Sequence, residues 1–260
     1  MEQIHKYPRT GHIKGSGLQV GDEDLTVTPF SALAGKHLVI EEKMDGANCG
    51  ISFPRGRLRL QSRGHFLTGG ARERQFHLFK GWASRYTEEL FALLGDRYVA
   101  FGEWCYARHT IFYNDLPHYF LEFDLFDTRD NLFLSTARRM EMLEDSPFIA
   151  SVKVLHNGPV PSLAALQALV GPSRFIRPHH REHLKETASA QGCDVERALR
   201  ESDPSGLMEG LYVKVETGGV VTERYKFVRP GFLQVVIDSG SHWMDRPLLP
   251  NRLRDGVTLW

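Results

Sequence analysis

Cysteine is scarce in this chain: Cys49, Cys105 and Cys193 lie far apart, and none belongs to a C-x-x-C pair. That argues against a disulfide framework or a cysteine-rich zinc site and fits a reducing compartment. Net charge is missing too, because 32 basic residues balance 32 acidic ones. Any affinity for nucleic acid must therefore come from local clustering. No apolar run approaches the length of a membrane span, and residues 1–9 lack the apolar centre of a signal peptide. Repeats and low-complexity tracts are absent. No G-K-[ST] follows the glycines at 11–17, which excludes a Walker-type phosphate loop there. The expectation is a soluble cytoplasmic protein without membrane association, whose 260 residues suffice for one large domain or two small ones.

What is present centres on Glu41-Glu42-Lys43-Met44-Asp45-Gly46-Ala47-Asn48. The run Leu38-Val39-Ile40 reads as a buried strand, and 48–53 reads as the next one. Lys43 then stands at a strand end beside an Asp-Gly turn. A lone K-x-D-G of this kind is more often a surface lysine by a hairpin. It becomes a nucleophile where desolvation and nearby cations lower the lysine pKa.

The segment before it, rich in Gly, Thr and charge, reads as a loop that serves as surface lead-in or substrate clamp. After it, Pro54-Arg55-Gly56 marks a turn, and 57–61 alternates with period two. Arg55, Arg57, Arg59, Arg63, Arg72, Arg74, Lys80 and Arg85 then accumulate with Phe66, Phe76, Phe79 and Trp82 among them. Such a mixture suits a phosphate backbone, and equally a solvated strand face followed by an amphipathic helix. Residues 71–94 carry helical spacing that stops at Gly95. Residues 97–104 and 118–127 read as core strands, and 131–134 adds a hairpin arm. Alternation places Val99, Phe101 and Glu103 on one face, and Leu121, Phe123 and Leu125 on one face with Asp124 opposite.

Residues 135–205 read as mostly helical, with Ser162 as an N-cap and Arg174, Arg177, Arg181 and Lys185 as a basic stripe. His179, His180 and His183 match metal spacing only in part, lacking a fourth ligand, and read better as a solvated helix start. Strands at 210–216 and 220–228 are joined by Thr217-Gly218-Gly219. Arg224 and Lys226 share a face of the second.

Strand ends thus carry Lys43, Arg63, Glu103, Glu209, Lys214, Arg224 and Lys226. A lysine nucleophile among cations and carboxylates suits attack on a nucleotide phosphate. In this order the motifs resemble the ATP-dependent RNA ligases, within the covalent lysyl nucleotidyltransferases that include DNA ligases and capping enzymes. Glu42-Lys43-Met44-Asp45-Gly46-Ala47-Asn48 is similar to the nucleotidyl-lysine motif and Ser62-Arg63-Gly64 to the Ser-Arg motif. Phe101-Gly102-Glu103-Trp104 resembles the ribose-binding motif, Phe123-Asp124 the adenine-stacking one, and Glu209 to Lys214 the E-G-x-x-x-K motif. Arg224-Tyr225-Lys226 stands where the family usually has K-x-K, so arginine's planar fork replaces a point-charge lysine there. Arg108-His109-Thr110-Ile111 also looks RNA-ligase-like.

The resemblance implies an α+β nucleotidyltransferase fold, an ATP-grasp-like adenylylation domain of antiparallel sheets flanked by helices. It spans 1–260 as one domain with its motif-bearing core at 37–228 and no C-terminal OB domain. It implies Lys43 as the AMP carrier, with Glu42, Arg63, Glu103, Phe123, Glu209, Lys214, Arg224 and Lys226 binding the nucleotide. Asn48 and Arg63 would face the RNA, and Glu209 and, more weakly, Asp45 would hold Mg²⁺ or Mn²⁺. Asn48, usually absent from DNA ligases at this place, favours RNA. Substrate grip would come from the basic segments or a protein partner. The rivals are a DNA ligase, a capping-type guanylyltransferase, and a non-catalytic RNA-binding module on a ligase fold.

Overall fold

The computed structural model describes residues 4–18, 22, 24–240 and 246–260, with the backbone alone at 71 and 72. Residues 1–3 and the Arg72 side chain of the basic run therefore lie outside the described residues. Twelve strands are present among the described residues: β1 (Gly11–Ile13), β2 (Val27–Thr28), β3 (Leu38–Lys43), β4 (Ala47–Ser52), β5 (Arg59–Ser62), β6 (Tyr98–Trp104), β7 (Phe120–Asp127), β8 (Leu132–Leu134), β9 (Ala150–Ser151), β10 (Val154–Gly158), β11 (Gly210–Thr217) and β12 (Val220–Val228). The helices are α1 (His77–Arg85), α2 (Thr87–Leu94), α3 (Thr136–Leu143), α4 (Leu163–Gln167), α5 (His180–Ala190), α6 (Val195–Arg200) and α7 (Pro230–Asp238).

Hydrogen bonding links the strands into one sheet in the order β10-β3-β11-β12-β8-β7-β6-β4-β5, antiparallel along this path. The expectation of antiparallel sheets flanked by helices holds, with the sheets joined through β8. That short strand pairs Leu134 and Phe133 with β12 and Phe133 and Leu132 with β7. On one side lies the limb β10-β3-β11-β12, and on the other β7-β6-β4-β5.

Period-two patterning decides what each limb buries. Leu211, Val213 and Val215 of β11 join Leu38 and Ile40 of β3 and Leu166 of α4 in one core. Tyr212 and Lys214, on the opposite face, turn towards the other limb, where Lys214 meets Asp124. In the second limb, Ile51, Ala100, Trp104 and Phe120 pack under Phe79, Trp82, Leu90 and Leu94 of α1 and α2. A third cluster, with Tyr7, Val99, Phe101, Phe123, Phe126 and Val228, fills the space between the limbs. The β11–β12 hairpin turns at Gly218 and Gly219, whose φ of 61° and 79° give the two left-handed positions of a tight turn.

Four local expectations need correction. The helix expected over 71–94 is a 3-10 turn followed by α1 and α2, which break at Tyr86. Thr87 Oγ1 donates back to the Ala83 and Ser84 carbonyls at the break, a local bond that competes with a straight helix. The region 135–205 is not mostly helical, because it adds β9 and the edge strand β10. Arg174 and Arg177 precede α5, so the basic residues do not form one helical stripe.

The fourth correction concerns Phe123. The β6–β7 register shifts between Phe101 and Gly102, which pair with Asp124 and Glu122. Phe123 is thus the extra residue of a bulge, and a bulge breaks side-chain alternation. Leu121 and Phe123 stay between the limbs while Leu125 joins the α1–α2 core. Asp124 reaches into the same inter-limb space as Phe123, where it accepts from Tyr7. No helix among the described residues is long and apolar enough to cross a membrane.

Candidate active site

Strand register assembles the site. Lys43 ends β3, and Gly210 of β11 pairs directly with it. Glu209 is the next residue, so its carboxylate arrives beside the lysine, with Lys43 Nζ 2.7 Å from Glu209 Oε1. Gly210 has to be glycine because a Cβ there would run into the Phe227 carbonyl. On the facing limb, Asn48 of β4 pairs with Glu103 of β6. Between the limbs lies an open cleft. Lys43, Arg63 and Lys226 bring cations to it, and Glu42, Glu103 and Glu209 bring carboxylates. Met44, Phe123, Val152 and Val228 supply apolar surface.

The turn after Lys43 is fastened from behind. Asp45 Oδ2 accepts the Thr110 and Ile111 N–H groups, both at 2.7 Å, and the Asp45 N–H donates to Tyr113 Oη at 2.9 Å. A Cβ on Gly46 would stand 2.8 Å from the Trp104 carbonyl and 2.9 Å from Glu103 Cγ. Close approach explains that glycine. Glu42 is buried, accepting from Ser173 Oγ at 2.5 Å and from the Arg174 N–H at 2.9 Å. Arg174 therefore serves this site through its backbone.

Of the residues expected at the site, Glu42, Lys43, Asn48, Arg63, Glu103, Phe123, Glu209 and Lys226 meet around one cleft. Asp45, Lys214 and Arg224 lie outside its lining. Lys214 is fully buried, 2.9 Å from Glu41 Oε2 and 3.1 Å from Asp124 Oδ1, and donates to the Phe123 carbonyl. It ties the bulge that carries Phe123 to the other limb. Arg224 Nε lies 3.3 Å from Asp124 Oδ2, with the guanidinium over the Phe133 ring. The two cations of β12 thus share a face but serve different places.

The titration behaviour corrects the expectation for Lys43. Burial by itself would depress its ammonium, but Glu209, Glu103 and Asp45 outweigh burial and hold the pKa above the ordinary lysine value. Cations do not dominate around it. Burial pushes both Glu103 and Glu209 up to about 7, with Lys43 opposing the rise in each case. Both carboxyls therefore change charge near neutral pH, where a proton acceptor is most useful.

That shift has a measurable sign. The folded pKa values lie above the ordinary 4.5, so the folded chain retains protons that the unfolded chain has already lost. The stability from these two groups is full below about pH 4.5 and is lost as pH rises through about 7. Glu103→Gln is expected to be more stable than wild type at pH 8 by about 1 kcal/mol, after allowing for water reaching the half-buried carboxyl, and the gain should vanish by about pH 5. Thermal unfolding across that range tests it, and a gain that grows on acidification would refute it.

Residue pattern alone missed several lining groups, among them Tyr7, Arg9, Thr10, Asp22 and Tyr212. Tyr7 Oη lies 2.5 Å from both Asp124 Oδ2 and Tyr212 Oη. Tyr212 was accessible through its period-two relation to Lys214. Tyr7 carries no comparable signal, since it sits in an aperiodic segment.

The sequence pattern of the RNA ligase family matches residues 36–228. This chain belongs to the RNA ligase family. No curated protein matches the sequence. Among solved structures, a Naegleria gruberi RNA ligase variant with ATP and Mn is similar at a TM-score of 0.53 and 16% identity, covering 80% of this chain and 54% of that one. Another variant with ATP and Mn gives a TM-score of 0.55 at 13% identity, over 89% and 58% of the two chains. A third, with AMP and Mn, gives 0.53 at 16% identity over 80% and 54%. At these identities the likeness shows the fold, and this chain spans little more than half the length of those ligases.

A divalent cation fits this RNA ligase cleft in a particular way. Among the described residues, no group of three His, Cys, Asp or Glu side chains converges to hold one. Glu209 Oε2 is nevertheless buried without a hydrogen-bond partner. One carboxylate completed by substrate phosphates and water is the usual arrangement for a nucleotide-bound Mg²⁺.

Proposed function

We propose that this protein is an ATP-dependent RNA ligase, with residues 1–260 acting as one catalytic unit around the motif core 37–228. The observation that carries the reading is Lys43 at a strand end, 2.7 Å from Glu209 Oε1, in a cleft that also holds Glu103, Phe123 and Lys226. Lys43 Nζ attacks the α-phosphorus of ATP, forming an N–P bond as pyrophosphate leaves. Glu209 Oε1 is placed to accept the Lys43 proton, and its carboxyl near 7 suits that task. AMP then passes to an RNA 5′-phosphate, and a 3′-hydroxyl attacks that phosphate and expels AMP.

Phe123 supplies a face for adenine and Glu103 accepts from the ribose hydroxyls. Lys226 and Arg63 meet phosphate oxygens, and Asn48 Oδ1, buried with no hydrogen-bond partner, is available to the nucleic acid. Glu42 bounds the nucleotide end of the cleft. Lys214 and Arg224 act on the nucleotide indirectly, through the Phe123 carbonyl and Asp124. Mg²⁺ or Mn²⁺, when bound at Glu209, supplies positive charge that offsets the phosphate oxygens and weakens the carboxylate field holding the proton on Lys43. Exposed Arg55, Arg57 and Arg63 offer the RNA backbone a grip that a protein partner could extend. The reducing setting implied by three free cysteines supports a cytoplasmic site of action.

Incubation with α-labelled ATP and Mg²⁺ or Mn²⁺ is expected to leave acid-labile label on the protein. Label from GTP alone would favour a capping reaction, and label from neither nucleotide would overturn the reading. Sealing of nicked duplex RNA, single-stranded RNA and DNA then defines the substrate.

A further inference from the structure

The segment ahead of the family-matched region builds a support behind one cleft lysine. β1 runs parallel to β12 with His12 opposite Lys226. Further along, Ser16 Oγ accepts the Val228 N–H at 2.9 Å. The chain then brings Asp22 to the lysine, with Asp22 Oδ2 2.5 Å from Lys226 Nζ and 3.0 Å from His12 Nε2. His12 is fully buried, and its Nδ1 lies 2.7 Å from Ser16 Oγ. An Arg9 guanidinium nitrogen also lies 3.6 Å from Asp22 Oδ1.

These contacts order the protons. Asp22 can only accept, so a neutral His12 ring donates from Nε2 and its Nδ1 accepts the Ser16 O–H, which also lies 3.4 Å from the Gly17 carbonyl. The same carboxylate accepts from Lys226. Burial lowers the His12 pKa and keeps the ring neutral, as this tautomer requires. The relay runs from the β12 backbone to the Lys226 head group. An ammonium has three N–H groups, and a single aspartate leaves others for the cleft that Lys226 lines.

We infer that His12 and Asp22 are positioning residues for the ligase reaction, holding the Lys226 ammonium in place for a nucleotide phosphate. A lysine ends in a point charge on a flexible four-carbon stem, so an ordered counter-ion removes motion that would otherwise be lost on binding or in the transition state. Both residues precede the matched region 36–228, and their role follows from contacts that no motif contains. The inference rests on the phosphate-binding role proposed for Lys226.

A double-mutant cycle tests it. Asp22→Asn and His12→Ala are each expected to slow lysyl–AMP formation by about ten- to a hundredfold, the range typical of groups that orient a reactive side chain through hydrogen bonds. His12→Gln keeps an N–H donor and should recover most of the loss. In a Lys226→Ala background, Asp22→Asn should have no further effect, because the group it acts through is gone. An additive loss in that background would overturn the inference, as would an Asp22→Asn protein faster than wild type, which would make the carboxylate a competitor of the phosphate. Thermal midpoints of every variant separate folding defects from positioning. A wild-type protein that takes no label from ATP defeats the ligase reading instead. The same cycle read on ATP affinity by calorimetry then decides whether Asp22 acts through Lys226.

Discussion

Lys43→Ala is expected to reduce covalent labelling by ATP at least about a thousandfold, since no other side chain can replace a lost nucleophile. Lys43→Arg should label no better, although it retains the positive charge beside Glu209. The pair thus separates nucleophilicity from charge. Their stabilities should also part. In Lys43→Ala, Glu209 loses the ammonium 2.7 Å away, which leaves Lys226 to oppose burial and the Asp45 charge. The Glu103 and Glu209 pKa values then rise above about 7, the folded state binds protons more tightly, and stability falls further as pH rises. A loss of about 1–3 kcal/mol at pH 8, recovering towards pH 6, is expected for alanine and little for arginine. Single-turnover labelling and thermal unfolding read the two effects. Undiminished labelling in Lys43→Ala would remove Lys43 from the chemistry.

Arg139→Met is expected to produce the largest loss of stability. This arginine of α3 is fully buried and bonds Glu122 Oε2 of β7 at 2.8 Å and Glu41 Oε1 of β3 at 2.6 Å. Lys214 reaches the same Glu41 and also Asp124, and Arg224 reaches Asp124. Three cations and three carboxylates thus close a neutral cluster between the limbs. Methionine fills similar space but leaves Glu41 and Glu122 short of charge in a dry interior. Removing one partner of such a pair costs about 3–5 kcal/mol, or roughly 10 °C in Tm for a chain of this size. The loss should shrink on acidification, because Glu122, already raised by burial, would take up a proton. A Tm within about 2 °C of wild type at pH 8 would show that the cluster carries little of the fold.

The two substitutions act on different layers of one structure, and those layers differed in how legible they were. Strand alternation located β3, β4, β6, β7, β11 and β12 closely, because each has one face against a core and side chains repeat every two residues. The K-x-D-G and E-G motifs were legible because their chemistry demands particular types at short spacing. Gly46 and Gly210 sit where a Cβ would collide with backbone. The edge strand β10 was not legible, since half-exposed Val154–Gly158 carries no strong alternation and is held by its pairing with β3.

Composition and local pattern by themselves determined the strand-rich core, the lysine at a strand end and the order of motifs that marks the RNA ligase family. Only the tertiary structure decided what those residues do together. The β-bulge at Phe123 sent Phe123 and Asp124 into one space, Lys214 and Arg224 became part of the buried cluster, and carboxylates around Lys43 kept it protonated. Aperiodic residues Tyr7 and Asp22 entered the site as well, with His12 buried behind Asp22. Each of these outcomes depends on distance through space, and electrostatic and hydrogen-bond energies follow that distance whatever the separation along the chain.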